Sequence, residues 1–394
     1  MALQPAAGAR DLNPREVERQ RLLCEQLAQV YRHWGYQEVA PPTIERMDTL
    51  EAGGGIAERE VVRLVADAPL GLRPELTASI ARAACTRLAH RPRPLRLWAS
   101  GTTFRCFQGD GGDLRISETL QSGVELLGES SDAADMELLH LLLSAAASLR
   151  LTPAHQPTLL LGHHGLLDAL MEGVPTALRP PAREALTRFD ALGLASLPLP
   201  EATRDRLGLL LQLRGDPVRV MEALEQWLGR CPLLQRLAAL LRSVEPLAAQ
   251  VGVRLQLDPT FQPHFDLYDG LVFKLVCQGR EAPVAIASGG RYDRLVARFC
   301  GSSSLAAGTG FGFSIAALQE LLAHEAPSPG APGPWLVAAA DAQSLPAALA
   351  RMAALHGAGE AAELCGQACA DEREAQARAA ERGCRGAIWL GGTA

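Results

Sequence analysis

Between Glu118 and Gly128 the chain reads E-T-L-Q-S-G-V-E-L-L-G, a stretch that leaves few architectures open. In a strand, successive side chains point to opposite faces. Thr119, Gln121, Gly123 and Glu125 therefore share one face, and Leu120, Ser122, Val124 and Leu126 the other. The second face is largely apolar and calls for helices packed against it. The first shows an amide, a bare glycine and a carboxylate, as the floor of a ligand pocket would. A carboxylate buried without a cation is costly, so the pattern predicts a polar pocket on one side of a sheet.

Around this strand the punctuation is clear. Asn13-Pro14-Arg15-Glu16 can cap and open a helix. Leu23, Leu27, Val30, Tyr31 and Trp34 recur at helical spacing, and Gly35 ends the run. Tyr36 to Glu45 reads as extended, broken by Pro41-Pro42, and residues 61–128 as short strands. Residues 133–149 read as a helix, and 150–250 as Leu/Ala/Arg-rich helices punctuated by proline. Strand signals return at Tyr268–Val276, Val284–Ala287 and Gly308–Ser314, with a helix from about Ile315. Glu325–Pro334 is a Pro/Gly/Ser-rich linker. The tail from Trp335 has a strand-helix-helix-strand flavour and ends in the apolar Ala387–Leu390.

The expected class is α+β: an antiparallel sheet flanked by helices, a helical insertion and a small C-terminal α/β tail. The expected domains are a core (1–150 and 251–324), a separate insertion (151–250), a linker (325–334) and the tail (335–394).

A length of 394 residues, 48% of them hydrophobic, allows large cores, and a net charge of -6 excludes a globally basic nucleic-acid binder. The nine cysteines form no C-x-x-C pair. Cys365 and Cys369 lie four apart without a completing His or Cys, so no metal site and reduced thiols are expected. Residues 1–10 lack the apolar core of a signal peptide, and no run of eighteen apolar residues occurs. The expectation is a soluble, cytoplasmic chain. Gly308-x-Gly310-x-Gly312 lacks the spacing of a dinucleotide fingerprint, and no Walker A motif occurs, so no cofactor is expected. His163-His164, at the start of an apolar helix, reads as structural, and Gly53-Gly54-Gly55 reads as a mobile loop.

Four segments, in order, carry a family resemblance over roughly residues 8–324. Gly35-Tyr36-Gln37-Glu38-Val39, with Pro42 and Glu45, resembles motif 1 of class II histidyl-tRNA synthetases, their dimer-forming segment. Leu72-Arg73-Pro74-Glu75-Leu76-Thr77 resembles their LRPE-x-T segment. Phe104-Arg105 followed by Gln121-x-Gly123-x-Glu125-x-x-Gly128 resembles motif 2. Ser288 to Leu295 resembles the GGRYD-x-L signature. The resemblance implies that Glu75, Thr77, Gln121 and Glu125 hold the amino and imidazole groups of histidine, and that Tyr268 lines the imidazole slot. Arg291 and Tyr292, from the last signature, join this candidate set. Carboxylates suit an ammonium and an imidazole N–H because charge-assisted bonds are the stronger kind.

The departures are as informative. Motif 2 of that family continues Phe-Arg-x-Glu, and Phe107 stands at the Glu. Motif 3 carries Gly-x-Glu-Arg, and Ala316 and Ala317 replace the acid and base after an intact Gly310–Ile315 frame. Alignment on Asp266, Tyr268, Val272 and Phe273 puts Pro263 where the other histidine-specific signature begins with Arg. Residues 335–394 hold five Arg and no Lys against seven Asp plus Glu, a poor match to an RNA backbone.

A synthetase-like core without activation chemistry is similar to the histidyl-tRNA synthetase paralogues that serve as regulatory subunits of short-form ATP phosphoribosyltransferase. That resemblance implies a non-catalytic chain acting in the first step of L-histidine biosynthesis. It implies a homodimer inside a hetero-octamer with the catalytic subunit, feedback by L-histidine, and neither tRNA nor membrane as partner. A divergent histidyl-tRNA synthetase and a stand-alone histidine-binding paralogue remain open at this point.

Overall fold

The computed structural model describes residues 5–52, 56–109, 111–263, 267–301, 305–323 and 333–391. The Gly53–Gly55 loop, Asp266 and most of the linker lie outside these. The chain divides into two compact units, Met1–Ala323 and His324–Ala394.

In chain order the first unit contains α1 (Pro14–His33), β1 (Gln37–Glu38), β2 (Ile44–Arg46), α2 (Met47–Ala52), β3 (Leu70–Leu72), α3 (Thr77–Cys85), β4 (Leu95–Gln108), β5 (Leu114–Leu127) and α4 (Asp132–Ser148). There follow β6 (Thr158–His163), α5 (His164–Leu170), α6 (Arg179–Thr187), α7 (Ala191–Ser196), α8 (Glu201–Leu210), α9 (Pro217–Leu228), α10 (Pro232–Gln250) and β7 (Arg254–Leu257). The unit closes with β8 (Leu271–Gln278), β9 (Pro283–Arg291), α11 (Asp293–Cys300), β10 (Gly308–Ser314) and α12 (Ile315–Leu321).

The sheet has eight strands in the order β1-β4-β5-β10-β9-β8-β6-β7. Its interior is antiparallel, while β1 on β4 and β7 on β6 run parallel, so the sheet is mixed at its edges. The long β4–β5 hairpin pairs without a break from Leu95 opposite Leu127 to Gln108 opposite Leu114.

Local chemistry explains the elements that frame the sheet. Asn13 and Glu16 form a reciprocal capping box at α1. Gly35 takes a φ of +81° just past this helix, a left-handed value that only glycine adopts without strain. Leu27 and Tyr31 of α1 are buried with Trp98 and Val124 on the even face of the hairpin, together with α4 and α12. The odd face is covered at one end by a smaller cluster from α3 and α11: Leu76, Ile80, Tyr292 and Leu295 meet Leu97, Ala99 and Leu127. Helices thus flank both faces, and the polar floor occupies the odd face beside that smaller cluster.

Three expectations need correction. The segment 151–250 is not a separate insertion: β6 pairs with β7 and β8 inside the main sheet, and α5 to α10 share one buried core with α1 and α4. Leu159 and Leu161 face that core, and a short apolar run cannot announce from sequence which distant strand it joins. Not all thiols are reduced either: Cys85 and Cys300 form a disulfide, and the other seven cysteines are free. Their sequence separation of 215 hides the pairing from any spacing rule. In the second unit, β11 (Trp335–Ala339), α13 (Leu345–Gly357), β12 (Ala362–Leu364), α14 (Glu372–Glu381) and β13 (Gly386–Leu390) make a parallel sheet in the order β12-β11-β13. The tail reading missed β12, whose three residues are only half-buried and too few for a periodic signal.

Among the described residues no helix is long and apolar enough to cross a membrane, and no group of three or more metal-ligating side chains occurs.

Candidate functional site: a carboxylate pocket on the sheet

A cavity of about 110 Å3 opens over the odd face of β5, where alternation placed the floor. Gln121, Gly123 and Glu125 line it from β5, Ser288 from β9 and Gly312 from β10. Glu75, Thr77 and Ile80 come from the start of α3, Tyr268 from the segment before β8, Leu50 from α2 and Arg105 from β4. Arg105 is the one basic side chain among the described lining residues.

Glu125 sits at the centre and is 4% exposed. Thr77 Oγ1 donates to its Oε1 at 2.6 Å, and the Tyr292 hydroxyl donates to Oε2. Burial, more than any neighbour, pushes its carboxyl from an ordinary 4.5 up to about 8, against the opposing pull of these two hydrogen bonds. Gly310 lies directly opposite Glu125 in the sheet, and a Cβ there would collide with Oε2. Glu75 is raised by burial as well, while the backbone N–H groups of Ala78 (2.9 Å) and Thr77 donate to it. Its carboxylate thus caps the first turn of α3, where the helix dipole favours negative charge. Tyr268 packs over Gly290, where a Cβ would stand 2.7 Å from its Cδ1. Its hydroxyl is shifted upward, chiefly by burial and then by Glu125 and Glu75.

The structure brings Glu75, Thr77, Gln121, Glu125 and Tyr268 to one cavity. Tyr292 stands behind Glu125 and orients it rather than lining the space. Arg291 is elsewhere: buried, it binds Asp135 at 2.9 Å and Asp293 at 3.2 Å and donates to the carbonyls of Glu129 and Ser131. We therefore place it in the framework, not among ligand contacts. Breaking such a buried pair by removing one partner costs about 3–5 kcal/mol. Phe107, at the far end of β4, is 43% exposed. Ala316 is exposed on the first turn of α12, and the Ala317 N–H bonds Ser314 Oγ at 3.3 Å. None of these three, nor Pro263, lines the cavity.

Leu50 and Ser288 were not singled out from sequence. Ser288 lies in register with Gly312, which pairs with Gly123, so strand alternation would have found it once the pairing was known.

The pocket can accept N–H donors or a cation. It carries two buried acids against one arginine, and a guest that supplies positive charge relieves the desolvation that keeps Glu125 protonated. Stability follows from the same shift. The folded state holds the Glu125 proton more tightly than the unfolded chain, so this group's contribution is full below about 4.5 and is lost as pH rises through about 8. Glu125→Gln mimics the protonated acid. It is expected to raise the unfolding midpoint of the empty protein more at about pH 9 than at about pH 5. Thermal melts with the same change at both pH values would contradict the buried-acid assignment.

A sheet of this order, with a polar floor on its central hairpin and helices on both faces, defines a class II aminoacyl-tRNA synthetase-like domain. The histidyl-tRNA synthetase family model matches residues 8–318. An ATP phosphoribosyltransferase regulatory subunit from Prochlorococcus marinus (strain MIT 9303) is 54% identical over 391 residues, covering 99% of this chain and 100% of the relative. The crystal structure of an ATP phosphoribosyltransferase regulatory subunit/histidyl-tRNA synthetase from Bacillus halodurans C superposes with a TM-score of 0.82 at 27% identity, covering 100% of both chains. Histidyl-tRNA synthetase from Nostoc sp. PCC 7120 shares the fold, with a TM-score of 0.80 at 17% identity over 100% of this chain and 92% of that one. The chain belongs to the histidyl-tRNA synthetase family and, within it, to the ATP phosphoribosyltransferase regulatory subunits.

Proposed function

We propose that this chain is the non-catalytic regulatory subunit that a short-form ATP phosphoribosyltransferase requires in the first step of L-histidine biosynthesis, and that its pocket takes L-histidine. One observation carries the reading. The acceptors for an amino group and an imidazole stay assembled around Glu125, while the positions that serve ATP in the resembling synthetases hold Phe107, Pro263, Ala316 and Ala317. The likeness to regulatory subunits over the full chain supports the partner. The tail, with five Arg against seven acids, supports a role without tRNA.

The assembly follows the resemblance: a homodimer through the segment Gly35–Glu45, joined by catalytic subunits into a hetero-octamer. Mixing with a short-form catalytic subunit tests both parts. Size-exclusion chromatography is expected to show a dimer before mixing and a larger joint species after it. Phosphoribosyl transfer is expected to rise by about tenfold or more, the scale of a gain above 1.4 kcal/mol. A partner equally active alone, with no shift in elution, would sink the proposal.

A further inference from the structure

Two short helices grip Glu125, and both end in a cysteine. Thr77, the first residue of α3, donates to Oε1 of Glu125 at 2.6 Å. Tyr292, the N-cap of α11, donates to Oε2. At their other ends, Cys85 is the last residue of α3 and Cys300 the last of α11, and the two are joined. Carboxylate, helix, disulfide and helix thus form a closed ring, with the pocket at one side and the sulfurs at the other. At 1.5 Å per residue the helices hold these ends about 12–14 Å apart.

Helices of nine and eight residues have little stability of their own, so their placement depends on packing and on this bond. The same pair also positions the outer wall of the pocket. Arg298 of α11 donates to the Ala52 carbonyl at the end of α2, the helix that carries Leu50. Arg82 of α3 binds Glu45 of β2 at 2.7 Å. Both bonded cysteines are partly buried at the edge of the α3–α11 cluster rather than fully enclosed like Cys106 and Cys277. The Val296 carbonyl stands 3.9 Å from Cys85 Sγ, placed to accept from a thiol there.

We propose that the Cys85–Cys300 bond is a reducible tether that sets how tightly the pocket holds its ligand, making this chain responsive to thiol redox state as well as to ligand. The tether's effect on ligand rests on the reading of the pocket as a histidine site. In the reductive step one thiolate of a dithiol donor attacks a sulfur of the bond, and its second thiolate resolves the mixed disulfide. The donor leaves as a disulfide, and two electrons and two protons reach Cys85 and Cys300. Oxidised, the ring holds Thr77 and Tyr292 in place. Reduced, α3 and α11 are held by their shared packing alone, and part of the pocket's order must be regained on each binding event.

The test uses the full-length chain without reductant, after dithiothreitol, and as Cys85→Ser/Cys300→Ser. Thiol titration under denaturing conditions should find seven reactive groups before reduction, against nine cysteines in all. Nine before reduction overturns the proposal. Calorimetry should then show histidine binding weakened by about fivefold or more on reduction, the lower edge of ordinary coupling between sites. The double variant should match the reduced protein and ignore dithiothreitol. Equal or tighter binding after reduction overturns the tether. A dithiothreitol response that persists in the double variant also overturns it, assigning the effect to Cys365 and Cys369, whose sulfurs lie 3.8 Å apart. If histidine binds in neither state, the histidine reading fails and hydrogen exchange decides the tether. Faster exchange at the Thr77 and Ala78 amides on reduction supports it, and unchanged exchange overturns it.

Discussion

Purified chain incubated with histidine, ATP and labelled pyrophosphate is expected to show no exchange of label into ATP above background. Adenylation develops negative charge on phosphoryl and carboxyl oxygens, and preorganised cations stabilise it where it appears. Removing one such donor costs about 2.7–4 kcal/mol, or about 10²–10³ in rate. The family resemblance puts Pro263 and Ala317 at two such positions. Independent losses add, so the deficit is on the order of 10⁴–10⁶. Among the described residues the nearby arginines are engaged elsewhere. Arg105 is the lone described cation in the pocket and also donates to the Pro74 carbonyl at 3.3 Å. Arg115 sits on Asp113 at 2.8 Å. Phe107 is exposed and carries no acceptor, at the position the resemblance assigns to an acid that meets the adenine. Exchange at a rate usual for synthetases would overturn the regulatory reading.

The second large effect concerns affinity for histidine. Glu125→Gln keeps the size of the side chain and the two hydrogen-bonding positions toward Thr77 and Tyr292, but it cannot become an anion. A hydrogen bond to a charged group contributes about 1.5–3 kcal/mol, so histidine should bind about ten- to a hundredfold more weakly. The pH dependence carries a sign. Burial keeps the Glu125 proton in place up to about 8 in the empty pocket, and the ligand needs the carboxylate. Binding therefore expels a proton. Wild-type affinity should climb as pH rises toward 8, by at most about tenfold per unit. The variant should lack that slope. Calorimetry in buffers of different ionisation enthalpy reads the released proton directly. Wild type and variant with equal affinity and equal slopes would mean that histidine binds elsewhere. Glu125→Gln should thus stabilise the empty protein while weakening binding, the opposition expected where function keeps a buried charge.

Much of the site was written locally. The alternation from Thr119 to Glu125 put an amide, a glycine and an acid on one face, and the cavity lies on that face. The capping pair Asn13–Glu16 opened α1 where spacing placed it. Gly308–Ser314 is a strand and Ile315 begins a helix, because a strand-to-helix change with Ser314 as cap needs only neighbouring residues.

What escaped the sequence depends on partners far along the chain. Arg291 reads as a ligand contact by its signature, yet Asp135, 156 residues away, claims it. The run Thr158–His163 reads as part of a helical insertion until β7 and β8 bond it into the sheet. The tie between Cys85 and Cys300, and the face of the pocket that Ser288 lines, exist only after the strands have chosen their register. Caps, turns and alternation are settled by a few adjacent residues. Which buried charge is neutralised, which strand is paired and which thiols meet are settled by packing, and only the tertiary structure decided them.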